Sequence, residues 1–301
     1  MTWFLAALSV PIINAVSSFI DKYLVEKRVP DPYVLIFWSG WFSVCIGVPL
    51  WWYTGFQLPD ASHLVSLVGV GMLSQVGYIF WYMALMRDEV SRLTPLGALF
   101  PVASYLFAWL ILGETIPAGA FVGFVFLVIA GFVVSVVGST QGVFRVRPAL
   151  WYMLGFIVLL SLPRVVFKAA EVGVGFAPAF ALQTIGSALG AVIVLFGRRI
   201  YVRAPIRFRL PVGTLATLFV NDALFASGFA IGMYAVTIGP VSLTSAVSNI
   251  QPFAVLAIGW CLTMWAPHII EEDISHTSMK QKIVGALCAT VGALIVGLYA
   301  R

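Results

Sequence analysis

Charge is scarce in this chain. Only 10% of its 301 residues are charged, against about 25% in a soluble domain, while 61% are hydrophobic. A water-soluble fold of this length could not bury so much apolar surface, so lipid is the expected solvent. Cysteine is also rare. Cys45, Cys261 and Cys288 fall in apolar stretches without metal-ligand spacing and read as small packing residues. His63, His268 and His276 lie in or beside loops, too scattered for a metal site. The chain has no G-x-x-x-x-G-K-[ST] phosphate loop, no G-x-S-x-G and no H-E-x-x-H. Paired carboxylates do not recur at helical spacing in the apolar runs. These absences argue against ATP-driven pumping and against an enzyme, and no cofactor is expected. The net charge of +5 reads as membrane topology. No basic, aromatic-interleaved face remains outside the apolar segments to bind nucleic acid.

What the chain does have is ten apolar stretches, each near the 20 residues a helix needs to cross a hydrocarbon core. They fall near 2–20, 33–53, 64–86, 93–112, 118–138, 149–170, 176–197, 211–236, 240–262 and 281–299. The expected fold is an all-α integral membrane protein of ten transmembrane helices. The first stretch lacks a basic leader and a clear small-residue cleavage site, so it reads as a retained helix. In the fifth, Gly119, Gly123 and Gly131 are spaced for close helix contact.

An internal repeat organises these stretches. The run from Trp81 to Glu114 returns, without a gap, about 151 residues later. Ala84 falls on Ala235, Val90 on Val241, Ser91 on Ser242, Pro101 on Pro252, Ala103 on Ala254 and Trp109 on Trp260. The reading is two five-helix repeats, 1–138 and 149–301, joined by a linker at 139–148. Five is odd, so the copies enter the membrane from opposite sides, as an inverted repeat. Transporters built this way hold substrate near the midplane, between the halves and beside broken helices. Prolines 11, 101, 163 and 252 are expected to break or kink segments 1, 4, 6 and 9.

The repeated stretch resembles the drug/metabolite transporter superfamily, in its ten-helix, EamA-like branch. Ala84-Leu85, Pro101, Gly113-Glu114 and Gly123 with Gly131 carry the resemblance in the first half. Ala235, Pro252, Glu272 and Gly285 carry it in the second, although Met264-Trp265 stands in place of Gly-Glu. The resemblance implies a basket of helices around a central cavity lined mainly by segments 1, 3, 4, 6, 8 and 9, with alternating access. It also implies cytoplasmic termini. The charge pattern implies the reverse. Nearly all Lys and Arg sit in loops after odd-numbered segments, and the positive-inside rule then puts both termini outside the cytoplasm. The expected location is a bacterial inner (plasma) membrane.

Arg164, Lys168 and Asp222 are the charged residues well inside the apolar segments. An ionisable group in hydrocarbon costs about 2.5–3.5 kcal/mol on insertion scales, so it usually faces protein or water. Arg164 and Lys168, at i and i+4, suit an anionic or carboxylate group. Asp222 suits a counter-ion or proton carrier. The structural alternative is an ion pair between them, with Lys168 snorkelling to the interface. Gln75, Tyr78 and Tyr82 share one stripe of segment 3 and suit a metabolite or an organic cation, or else helix packing. Asn14 and Asn249 are weaker candidates, since asparagine often joins helices by hydrogen bonds. Glu114 and Glu272, at hairpin mouths, read as helix-start caps.

The expected function is export of a small polar metabolite, such as an amino acid, by proton antiport. The partners are the substrate, membrane lipids and protons, and ten helices can enclose a cavity as a monomer. Three alternatives stay open: an organic-anion exchanger using Arg164 and Lys168, a lipid flippase, and a non-transporting scaffold or receptor. The last predicts a packed centre.

Overall fold

The computed structural model describes residues 2–113, 118–137, 145–201, 208–238 and 250–299. Helix dominates, because a chain in lipid must satisfy its backbone polar groups internally. The helices are α1 (Thr2–Tyr23), α2 (Pro32–Tyr53), α3 (Ala61–Leu85), α4 (Val90–Leu96), α5 (Phe100–Leu112), α6 (Ala118–Ser135), α7 (Ala149–Ala170), α8 (Phe176–Tyr201), α9 (Val212–Ile238), α10 (Gln251–Trp265) and α11 (His276–Tyr299). With α4 and α5 together forming the fourth span, these answer to the ten expected segments, although residues 240–249 of the ninth lie outside the described residues. Eight spans are long and apolar enough to cross a membrane, and Ala118–Val134 and Gln251–Trp265 are shorter apolar helices. Segment 5 stops at Ser135, where Val136–Val137 pairs antiparallel with Arg145–Val146.

Local chemistry sets the helix ends. Asp31 caps α2 by accepting the backbone N–H of Tyr33 at 3.1 Å, and Pro32 occupies the first turn. Gly113 closes α5 in the left-handed region, at φ 67°. A π-helical turn over Leu24–Arg28 carries α1 on past Tyr23. Lys22, buried there, donates to the Leu85 carbonyl at the end of α3, to Asp88 O at 2.8 Å, and pairs with Glu26 at 2.6 Å. Its charge therefore satisfies helix-end carbonyls that have no partner within the helix.

The four prolines behave in two ways. Segment 4 is broken: α4 ends at Leu96, a 3₁₀ turn covers Gly97–Leu99, and α5 starts at Phe100 with Pro101 in its first turn. Pro252 likewise sits in the first turn of α10. The two helix starts, Phe100 and Gln251, are 151 residues apart, the offset of the repeat. Pro11 and Pro163 do not break their segments, since α1 and α7 run through them as continuous helices. Packing against neighbouring helices keeps such turns in place although each proline removes one hydrogen bond.

Packing follows the repeat. Across the halves, α1 packs on α9 and α3 on α7, while α2 pairs with α8 and α6 with α11. Exchanging each span for the one five places on converts the first pair into the second and returns the last two to themselves. Glycines allow the closest crossings. A Cβ on Gly123 would lie 2.6 Å from the Gly292 carbonyl, and one on Gly292 would lie 2.8 Å from that of Gly123. Gly71 is backed by the Gln183 carbonyl of α8, and Gly119 by the Tyr299 ring. Gly131 faces Leu96 and Leu99 instead, so only two of the three glycines singled out in α6 meet α11.

Candidate functional site

The helices enclose a cavity of about 500 Å³, within the range of small-molecule sites. Its wall comes from α1, α3, α4–α5, α7, α9 and α10, the six expected segments. It also includes α2, through Ser39 and Ser43, and α8, through Phe180 and Gln183. The break at Gly97–Leu99 and the start of α10 both reach the cavity, through Gly97, Ala98, Gln251 and Pro252. The packed centre that a scaffold reading requires is not what the described residues form.

Six of the expected site residues meet here: Asn14, Gln75, Tyr78, Tyr82, Arg164 and Asp222. Lys168 is not in the lining. It lies one turn beyond Arg164, exposed, near the end of α7 at Ala170. That agrees with the interfacial alternative. Asn249 and Glu114 lie outside the described residues.

Asp21 is the residue the sequence reading left out, having taken it as the end of segment 1. The π-helical turn extends that helix to Arg28, so Asp21 lies inside the span and lines the cavity. Its Oδ2 accepts from Trp81 Nε1 at 2.9 Å. Its Oδ1 accepts from Tyr82 Oη at 3.1 Å and from Asn221 Nδ2 at 2.7 Å. Three donors from α3 and α9 thus fix one carboxylate on α1. The signal was available: Asn14, Ser18 and Asp21 follow at i, i+4 and i+7, one continuous polar face.

Asp222, the neighbour of Asn221 on α9, is held more loosely. Its Oδ1 accepts from Ser39 Oγ at 2.9 Å, and its buried Oδ2 has no donor among the described residues. Arg164 projects from α7 into the cavity, with its guanidinium carbon 4.5 Å from the centroid of Phe100. Among the described residues it has no carboxylate partner, so the expected ion pair between Arg164 and Asp222 is not formed. Tyr78 also lines the cavity, within electrostatic reach of Arg164 and of both Asp21 and Asp222. Its ring meets Phe156 at 5.6 Å and Phe225 at 6.2 Å. Gln75 is buried, and its Nε2 donates to the Ile36 carbonyl at 2.9 Å, which joins α3 to α2 as the packing alternative supposed.

A helical basket around a polar cavity, with a span broken beside it, is an arrangement that membrane transporters use. The family comparison decides which kind, for residues 1–136 match the EamA-like transporter family. That match covers 136 of the 301 residues and makes the first half of the chain similar to the family. EamA-like proteins are membrane transporters of the drug/metabolite transporter superfamily. A solved crystal structure of a protein 15% identical in sequence matches with a TM-score of 0.56, over 99% of this chain and 96% of that one. At that identity the likeness is one of fold, and it spans both halves of the chain. The curated proteins offer no sequence match.

A second polar cluster lies at the end of the bundle where α3 stops and α4 and α11 begin. Glu272 accepts the backbone N–H of Ser91 at 3.2 Å and also its hydroxyl. It therefore caps α4, across the bundle, rather than the helix of its own hairpin. Lys282 pairs with Glu89 at 2.5 Å and with Glu272 at 3.3 Å. Arg92 pairs with Asp273 at 3.1 Å, and Arg147 with Asp88 at 3.3 Å. Burial pushes the carboxyls of Glu272 and Asp88 above the ordinary carboxylate range. The backbone N–H of Ser275 holds Asp273 down at about 2.

Proposed function

We propose that this EamA-like protein exports a small zwitterionic metabolite, an amino acid or a similar molecule, across a bacterial inner membrane. Transport proceeds by alternating access in exchange for protons, with Asp222 as the group that titrates. The repeats 1–138 and 149–301, joined by 139–148, are the two bodies that rock about the cavity. The observation that carries this reading is the division of charge in one cavity. Carboxylates stand on α1 and α9, a guanidinium without a carboxylate partner stands on α7, and Tyr78 is in reach of both. A zwitterion presents an ammonium and a carboxylate together and matches both ends. A lone cation or anion matches one.

The test uses purified protein in proteoliposomes with amino acids as labelled substrates. An imposed proton gradient is expected to drive accumulation, and Asp222→Asn is expected to keep downhill exchange while losing that drive. An unchanged pH profile in Asp222→Asn would remove Asp222 from coupling. The lack of a carboxylate partner for Arg164 among the described residues favours one second reading, exchange of an organic anion without protons. Under it, anions would be exchanged, Arg164→Ala would abolish the flux, and the proton gradient would have no effect.

A further inference from the structure

Two buried oxygens beside the cavity lack a donor among the described residues, Asp222 Oδ2 and Asn221 Oδ1. Both residues line the cavity, and Asn221 is 3% exposed. The orientation of the Asn221 amide is dictated by its neighbour. Asp21, as a carboxylate, can only accept, so Asn221 must present its NH₂ to it, which it does at 2.7 Å. The amide oxygen is thereby left as an acceptor with nothing to accept from. Reversing the amide would set oxygen against oxygen. The same asymmetry marks the two acids. Asp21 is saturated by Trp81, Tyr82 and Asn221, whereas Asp222 has one donor, Ser39. Buried acceptors are normally satisfied, and an unmet one costs about 1–3 kcal/mol. The locus therefore calls for a group that brings N–H or O–H donors and positive charge.

We infer that Asp222 Oδ2 and Asn221 Oδ1 form the seat for a primary ammonium group, with Asp21 and Ser39 as positioning residues. The inference rests on the transport reading only for the molecule that carries the amine. A primary ammonium has three N–H donors and a full charge, which suits two unmet acceptors on adjacent residues of one cavity wall, one of them ionised. A hard cation needs about six or more oxygens. The described residues hold no group of three or more His, Cys, Asp or Glu able to bind a metal. A quaternary ammonium has no N–H to offer. The rings of Tyr78 and Phe225 could meet its charge, but the two oxygens would stay unmet.

The probe is n-butylammonium, which has no carboxylate for Arg164. Its effect on the thermal midpoint of the purified protein is compared with those of n-butyltrimethylammonium and sodium at equal ionic strength. The expected result is saturable stabilisation by butylammonium, with at least tenfold weaker apparent affinity for the trimethyl compound and no saturable effect of sodium. Asp222→Asn is expected to weaken butylammonium at least tenfold. Equal stabilisation by the trimethyl compound would show recognition by ring faces, and saturation by sodium would show an alkali-ion site. Either overturns the ammonium seat, as does unchanged affinity in Asp222→Asn. The three-cation comparison uses wild-type protein, so it decides the question even where the variant fails to fold. Butylammonium binding without amino-acid flux would sink the transport reading and leave the seat. Amino-acid flux with no amine binding would do the reverse.

Discussion

Asp21 and Asp222 are chemically the same and do different work because their surroundings differ. A carboxylate holding three donors is fixed, and replacing it strands all three. Asp21→Asn leaves one acceptor oxygen for Trp81, Tyr82 and Asn221, and turns an NH₂ towards them. Hydrogen bonds to a charged group are worth about 1.5–3 kcal/mol each, so we expect a loss of about 3 kcal/mol, read as a lowered thermal midpoint. Asp222→Asn removes one hydrogen-bonded acceptor and should lower the midpoint less. At the bundle end the pH signs oppose one another. Glu272 and Asp88 have raised folded-state pKa values. Their contribution is full below the ordinary carboxylate range and is lost as pH rises through the folded values. Asp273, held at about 2, contributes fully above the usual value of 3.8 and loses its contribution as pH falls towards 2. Glu272→Gln should therefore flatten the loss of stability on the rising side of the carboxylate range and leave the acid limb in place. Thermal melts from pH 3 to pH 8 (roughly the span over which carboxylates titrate) would show this. Among single residues, Arg164 and Asp222 were legible because a charge inside an apolar run has few bland explanations. Asp21 was not, because it stands at a hydropathy edge, while the helix runs on past it to Tyr23 and through the π-helical turn to Arg28.

The helices themselves were legible from hydropathy to within about five residues at the described ends, because lipid requires long apolar runs and a satisfied backbone. Their breaks were harder to read. Proline has one sequence signature whether it starts a helix, as Pro101 and Pro252 do, or is carried within one, as Pro11 and Pro163 are. Only the surrounding packing separates the two. Glycine divides in the same way. A side chain at Gly123 meets the backbone of α11 at 2.6 Å, whereas Gly69 has nothing within 4 Å. Gly123→Val should cost about 1–3 kcal/mol through forced separation of α6 and α11. Gly69→Ala should be neutral, or stabilise by about 0.5–1 kcal/mol through helix propensity. Urea or thermal unfolding of the two variants together would test both signs. Equal effects would mean that the glycines of α6 serve no close contact.

For the whole molecule, the repeat foretold the exchange pattern of helix pairs, since two copies of one packing unit must meet about a common axis. It did not foretell that α2 and α8 help to line the cavity. Orientation follows the basic loops. Lys27, Arg28 and Arg87 are exposed at the end that also holds Arg92, Arg147 and Lys282. By the positive-inside rule we predict that this end faces the cytoplasm and that the termini face outward, against the family's expectation. An impermeant reagent should then reach a tag fused after Arg301 in intact cells, and labelling only after lysis would reverse the assignment. The buried ion network at the same end joins α4 to α11. Lys282→Met should destabilise by about 3–5 kcal/mol, because Glu89 and Glu272 would lose their shared cation. Thermal melts of Lys282→Met and of the double variant with Glu272→Gln would reveal the coupling, as partial recovery.

The first copy's share of that network is not repeated in the sequence of the second. Asp88, Glu89 and Arg92 of the first copy correspond to Gly239, Pro240 and Leu243 of the second. Two halves that share a fold therefore do not share a fastening. Opening the basic end means parting ionic groups, which responds to salt and acidity. On the proposed alternating-access cycle, salt and acidity on that side would set how long the cavity stays turned away from it.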